Sequence, residues 1–343
     1  MKFVFHEAQR RHDPKHFLSS GAPQPNPEAP ERVERLRAGA QAAGLEQVQP
    51  TDHGLGPIAA VHSPEYLSFL RTIHERWRRI PEASAEVVPN IHPDRRDLSY
   101  PASAVGQAGY HMADTACPIS AETWQSAYWS AQTAVQAALM VGEDDGSVYA
   151  LSRPPGHHAF ADLAGGFCFL NNSAIAAQAL RRSHQRVAIL DVDLHHGNGT
   201  QGIFYARDDV LTVSIHADPV RFYPFFWGHA AERGEGPGLG YNLNLPLPRG
   251  SGDDAFLVAL DAALARIAAF APGAVVIALG LDAFEGDPFG GLAVSTDGFR
   301  RIGERCAAIA APVAIVQEGG YVCDELCDNL TAFLSGFRDR AGL

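Results

Sequence analysis

Five cysteines in 343 residues are too few and too scattered for a disulfide framework, and their number is odd. Of Cys117, Cys168, Cys306, Cys323 and Cys327, the last two are four apart and would share a helix face, but no second pair completes a zinc-site pattern. Long apolar runs are missing too. Nothing approaches the roughly 18 residues a membrane span needs, and the opening Met1-Lys-Phe-Val-Phe-His6 breaks off before a signal-peptide core forms. Positive charge is scarce: 27 Lys and Arg face 39 Asp and Glu, for a net charge of -12. That balance disfavours a nucleic-acid surface, whose phosphates need basic patches, and is compatible with a basic, polyamine-like substrate. There is no internal repeat and no low-complexity tail. The expectation is a soluble, cytoplasmic globular chain, with 33 glycines and 23 prolines marking many ordered loops.

Strands and helices alternate from about residue 120 onward, which predicts one α/β domain over 1–343 with a central, mostly parallel β-sheet flanked by helices. Phe3 to Phe5 reads as a first strand, and His6 to Ser20 as a polar loop or arm. Glu31 to Ala43 reads as a helix closed by Gly44, and another runs from about Glu65 to Arg79 behind Pro64. From Ile80 to Pro118 no period holds, so the segment reads as a long irregular insertion, at the rim of a site or in a subunit contact. Ser120 is placed to cap a helix reaching Met140. Strands follow at 147–151, 210–216 and 241–245. Helices are expected over about 172–180 and 200–205, from a capping box at Ser251 and Asp254 to Phe270, and from Cys323 to Phe337.

The densest chemistry lies in Arg186-Val-Ala-Ile-Leu-Asp191-Val-Asp193-Leu-His195-His196-Gly-Asn198. A buried-type strand ends there in a polar cluster, and in extended chain Asp191, Asp193 and His195 point to one side. A plain polar turn is the competing reading. Two further buried strands end on Asp282 and on Tyr321, and parallel strands bring such ends to one edge of the sheet. Asp193, His195 and Asp282 make a mixed oxygen and nitrogen set that suits zinc, with iron or cobalt less exclusive choices. His157 and His158 follow a rigid Arg153-Pro-Pro-Gly turn, and either could move the proton of an attacking water. Tyr321, after Gly-Gly, could donate to a developing oxyanion. Cys168 is a weaker alternative as a nucleophile. Phe167, beside Gly165 and Gly166, and the aromatic cluster Phe222 to Trp227 read as pocket walls. The sum is metal-dependent hydrolysis of an amide.

These pieces, in this order, resemble the arginase/histone-deacetylase superfamily, and within it the bacterial acetylpolyamine amidohydrolases. The matching stretches are Arg153 to His158, Gly165 to Cys168, Asp191 to Thr200, Gly280 to Asp282 with Asp287-Pro288, and Glu318 to Tyr321. The resemblance implies the arginase/deacetylase fold, with Asp193, His195 and Asp282 as zinc ligands and Tyr321 as the transition-state donor. It implies His157 paired with a buried Asp191, and His158 as the general base and acid, oriented by Asn198. An aspartate occupies that last position in many deacetylases, and an asparagine leaves His158 less basic. Further implied are a structural potassium ion at backbone carbonyls of Asp191, Asp193 and His195 with the Ser214 side chain, a tunnel lined by Gly166, Phe167, Phe225 and Phe226, and a homodimer. The substrate would be a small N-acetylated amine, with an N-acyl-lysine as the alternative and a non-catalytic ligand-binding module as a distant one. Within that segment, residues 104–118 are nearly neutral where the polyamine branch carries acidic residues; Asp114, or Glu7 and Asp13, could stand in for them.

Overall fold

The buried apolar runs of the sequence become the strands of one parallel sheet. The computed structural model describes residues 1–97, 99–143 and 146–342. Its strands are β1 (Lys2–Val4), β2 (His16–Ser19), β3 (Ala22–Pro25), β4 (Glu46–Val48), β5 (Ser147–Ala150), β6 (Val187–Asp191), β7 (Val210–Ala217), β8 (Asn242–Leu247), β9 (Ala274–Leu279) and β10 (Val313–Gln317). The helices are α1 (Glu31–Ala42), α2 (Gly56–Ala59), α3 (Pro64–Trp77), α4 (Ala104–His111), α5 (Thr123–Glu143), α6 (Asn172–Leu180), α7 (Asn198–Phe204), α8 (Asp253–Phe270), α9 (Thr296–Cys306) and α10 (Leu326–Ala341). Among the described residues the sheet has eight strands in the order β4-β1-β5-β10-β9-β6-β7-β8. Every pairing in it is parallel.

Side chains alternate between the two faces of each strand, so both faces need a cover. Leu190, Leu211, Val213, Val275, Ile277 and Ile315 pack against α1, α8, α9 and α10. Val148, Ile189, Val276, Ala314 and Val316 face α5 and α6. The covering faces of α5 and α6 are rich in alanine, Ala134, Ala137 and Ala138 on one and Ala174, Ala176 and Ala177 on the other, and these small side chains let the helices lie close to the sheet. A third apolar cluster lies off the sheet, where Tyr66, Phe69 and Ile73 of α3 meet Val87, Ala108, Met112 and Ile119.

That third cluster corrects the reading of residues 80–118 as irregular. Ser103 caps α4 by accepting from Gly106 N, and the segment is closed at its base where Val87 and Ile119 exchange backbone hydrogen bonds of 2.9 and 3.1 Å. A single eight-residue helix between prolines gives too little periodicity to stand out. The N-terminal arm is also ordered: a 3₁₀ turn spans Glu7–Arg11 and β2 pairs antiparallel with β3. Its prolines fit because a two-stranded ribbon has outward edges that need no N–H donor. The box at Ser251 does not form. Gly252 occupies the cap position without a side-chain bond, and the Asp253 carboxylate instead accepts from Ser295 N (2.8 Å) and Oγ (2.7 Å), joining α8 to the start of α9. Helix α10 begins only at Leu326, so Cys323 and Cys327 share no helix face.

Candidate active site

Four neighbouring strands, β5, β10, β9 and β6, deliver their C-terminal ends to one edge of the sheet. The loops leaving them carry His157 and His158, Tyr321, Asp282, and Asp193 with His195. Residues as far apart in sequence as His157 and Tyr321, 164 positions, thus meet through strand order alone. Asp191 ends β6 within regular pairing, and the chain then bends, so Asp191 and Asp193 part company. Asp191 Oδ2 lies 3.0 Å from His157 Nδ1, whereas Asp193, His195 and Asp282 place one donor atom each within 4.8 Å of one another, all buried.

Each carboxylate is oriented through the oxygen that it does not turn toward His195. Gly319 N donates to Asp193 Oδ2 at 2.8 Å, and Leu194 N donates to Asp282 Oδ1 at 3.1 Å. His195 Nδ1 stands 3.0 Å from Asp282 Oδ2 and 3.5 Å from Asp193 Oδ1. The backbone must come very close here: a Cβ on Gly280 or Gly319 would run into the Asp193 carboxylate. The described residues also bring His157, Cys168 and Glu318 together. Glu318 is already saturated by Gly156 N (2.6 Å), His157 N (3.0 Å) and Ser173 Oγ (2.6 Å), so that group serves to fasten the histidine turn. Burial, then the nearby Glu318, pushes the Cys168 thiol well above its usual range, which leaves it a poor nucleophile.

The two adjacent histidines differ in environment. His157 has carboxylates at both ring nitrogens, Asp191 at 3.0 Å and Asp193 at 3.8 Å. Burial opposes its charge, but Asp193 and Asp191 outweigh burial and lift it to about 10. His158 has only Asn198, whose Oδ1 accepts from Nδ1 at 2.7 Å. Burial first, then the His157 and His195 charges, hold His158 well below its usual value, so it is neutral at pH 7 with Nε2 unshared. Tyr321 packs edge-on to Phe289 (4.6 Å) and lies under the Arg32 guanidinium (5.0 Å). Burial keeps its hydroxyl protonated far above neutral pH, as a donor must be.

His158, His195 and Tyr321 line the floor of a cavity of about 420 Å³. Gly166, Phe167 and Phe225 line it as expected; Phe226 does not, being 85% exposed on the outer side of the same loop. Phe167 and Phe225 both have positive φ, 66° and 59°, a costly backbone state for a bulky residue. Such strain concentrates where wall geometry matters. Reasoning from sequence marked the 222–227 cluster without resolving its members. Phe222 stacks on His195 (5.1 Å), and Tyr223 stands edge-on to His158 (4.9 Å) while its hydroxyl donates to Asp114 at 2.8 Å. Phe17 of the N-terminal hairpin and Phe289 also line the wall. Neither had a signal beyond being aromatic in a loop. Asp114 reaches the lining, but it also accepts from Ala116 N and Gly166 N. Glu7 and Asp13 pair elsewhere, with Arg10 and Lys15. On the far side of β6, Asp191 and Ser214 lie opposite one another in register and border a void of about 10 Å³.

Comparison with known proteins agrees with this arrangement. A family model described as the histone deacetylase domain matches residues 26–337. An acetylpolyamine amidohydrolase from Burkholderia pseudomallei (strain 1710b) is 50% identical over 338 residues, covering 98% of each chain. Acetylpolyamine amidohydrolase 1 of Pseudomonas aeruginosa is 44% identical over 346 residues, covering 99% of this chain and all of that one (100%). The crystal structure of the acetylpolyamine aminohydrolase from Burkholderia pseudomallei superposes with a TM-score of 0.97 at 49% identity, over 99% of both chains.

Proposed function

The chain belongs to the histone deacetylase family, and from that premise we propose a zinc-dependent amidohydrolase that removes acetyl groups from N-acetylated linear amines, acetylpolyamines first among them. One observation carries the reading: a buried Asp193–His195–Asp282 centre at the floor of a narrow aromatic cavity, with His158 and Tyr321 lining the same floor.

The donor set fits a divalent cation. Asp193 and Asp282 have no exposure, and burial, then the Asp193 charge, raises Asp282 above the ordinary carboxylate range. Two adjacent carboxylates in an apolar interior call for a positive partner. Asp193, His195 and Asp282 would hold the metal; zinc in that set supplies Lewis acidity toward water and a carbonyl oxygen. His158 Nε2 takes the proton of the attacking water and returns one to the leaving amine, while Asn198 fixes its tautomer and ring plane. The Tyr321 hydroxyl donates to the carbonyl oxygen as negative charge develops there. His157 and Asp191 act from behind, holding Asp193 and the base turn in place. A potassium ion at Asp191, Asp193, His195 and Ser214 belongs to the same reading, supported by the facing pair Asp191 and Ser214.

Leu18, Phe225 and Phe226 are 39%, 49% and 85% exposed; Leu18 and Phe225 border the cavity, and the Phe226 ring meets that of Phe225 at 6.5 Å. Apolar residues so placed support a second copy of the chain covering the opening, with Asp114 to Ala116 at the end of the 80–118 segment forming part of the rim. The protein-lysine reading draws support from the family match itself, since the histone deacetylase domain covers residues 26–337. A non-catalytic module is disfavoured because ligands, base and tyrosine are all present. The deciding experiment compares kcat/KM for acetylputrescine, acetylcadaverine, acetylspermidine and an acetyl-lysine peptide, before and after chelation and zinc return. Hydrolysis that survives verified metal removal would overturn the mechanism. Preference for the peptide would move the substrate to acyl-lysine.

A further inference from the structure

Three charged side chains with no solvent exposure, Glu28, Arg32 and Arg153, meet behind the cavity floor. The Glu28 Oε1 atom accepts from Arg32 Nη1 at 2.5 Å and from Arg153 Nε at 2.9 Å, and Oε2 lies 2.9 Å from Arg153 Nη2. One arginine bonds to a catalytic loop and the other is part of one. Arg32 donates to the carbonyls of Gly320 (2.5 Å) and Glu318 (2.7 Å), which flank Gly319 and lead directly into Tyr321. Arg153 opens the turn that carries His157 and His158, and is itself tied to the carbonyls of Gln9 (2.7 Å) and His12 (2.5 Å). Among the described residues, Glu28 is therefore the group bonded to both arginines.

Stability alone is a weak reason for such a cluster. Desolvating three charges is costly, and well-packed apolar side chains often do as well or better. What an apolar cluster lacks is direction. Planar guanidinium forks on a carboxylate and on backbone carbonyls fix distance and angle together. A general base and an oxyanion donor on separate loops need that precision, because misplacement by about 1 Å costs on the order of 100-fold in rate.

We infer that Glu28 is a positioning residue which, through Arg153 and Arg32, sets the separation between His158 and Tyr321 across the substrate carbonyl. The inference rests on the roles proposed above for those two residues. A glutamine at position 28 would present an amide N–H₂ to one of the two arginines, donor against donor, and loosen that arginine's hold, leaving the bonds of the Glu318 carboxylate to Gly156 N and His157 N as the direct tie between the loops.

The test is a double-mutant cycle of Glu28→Gln with Tyr321→Phe, run beside an equivalent cycle of Arg153→Lys, which keeps the buried charge but loses the fork. kcat, KM, zinc content and melting temperature are read for each metal-loaded protein. The expected result is a fall in kcat on the order of 100-fold for Glu28→Gln, with KM and zinc content within about twofold. The double variant should then be little worse than Tyr321→Phe alone, since a displaced tyrosine has nothing further to lose. If Glu28→Gln does not fold, the Arg153→Lys cycle carries the same expectation. Wild-type kcat in the folded variants, or losses that multiply in the double variant, would overturn this inference alone. Wild-type turnover in Tyr321→Phe would overturn the reading of Tyr321 and this inference with it.

Discussion

At the cavity floor each ionisable side chain is held by a partner from another strand end: Asp193 by Gly319, Asp282 by Leu194, His157 by Asp191. At the mouth the walls come from segments outside the eight-stranded sheet, namely the β2–β3 hairpin, the end of the 80–118 segment and the 222–227 cluster. Their side chains meet largely through aromatic edges, such as Phe17 on Phe167 at 5.5 Å, and through the Tyr223–Asp114 bond. The floor is over-determined, so one chemistry is available to it. The mouth is assembled from adaptable contacts, and substrate selectivity can change there without disturbing the metal centre.

Breaking the floor should therefore have the largest effects. Asp282→Asn removes one of the two ligand charges, and we expect zinc content near zero by elemental analysis and no measurable hydrolysis. Next comes Tyr321→Phe, which should retain zinc but lower kcat by about 10²–10³-fold, as loss of one oxyanion donor does elsewhere. Retention of full turnover would remove Tyr321 from the mechanism.

Asn198→Asp sharpens the comparison by altering charge at the floor without altering ligands. In the wild type His158 sits below its usual value, so the base stays neutral and the rate should hold as pH falls below about 6.5. A carboxylate at position 198 favours the imidazolium and raises His158, so the acidic limb of kcat/KM should move to higher pH. The loss is then greatest at the acidic end of the profile and vanishes toward alkaline pH. An unshifted limb would mean that His158 is not the group titrating.

At the mouth, smaller changes are expected, and of a different kind. Phe225→Ala should raise KM by about tenfold, the scale of one lost apolar wall contact, with kcat nearly unchanged. Phe226→Ala, which lines nothing within the chain, should leave the kinetics within about twofold at high protein concentration. It should weaken self-association measured by light scattering if a second copy covers that face. A kcat effect as large as that of Tyr321→Phe at either position would collapse the distinction between floor and mouth.

The same division explains how far the amino-acid sequence could be read. Asp193 and His195 are two positions apart and follow a strand whose apolar run is unmistakable, so their placement needed only period-two geometry. Asp282 and Tyr321 ended runs of the same kind. By contrast α4 is eight residues long between prolines, the box at Ser251 and Asp254 gave way to Gly252 at the cap of α8, and Phe226 pointed away where its neighbour Phe225 pointed in. Short elements and loop side chains are set by whatever packs against them, and no local pattern records that.

By itself, then, the sequence determined the parallel α/β class, the strand ends that bear ionisable groups, and the chemistry those groups can perform, because each follows from local periodicity and residue type. Tertiary structure alone decided that β10 and β9 lie between β5 and β6, that Asp191 serves His157 and not the metal centre, that Asp114 is already bonded to Tyr223, and that Glu28 reaches two catalytic loops at once. Those are contacts between residues tens to hundreds of positions apart, fixed by strand order and packing, which a chain read along its length does not contain.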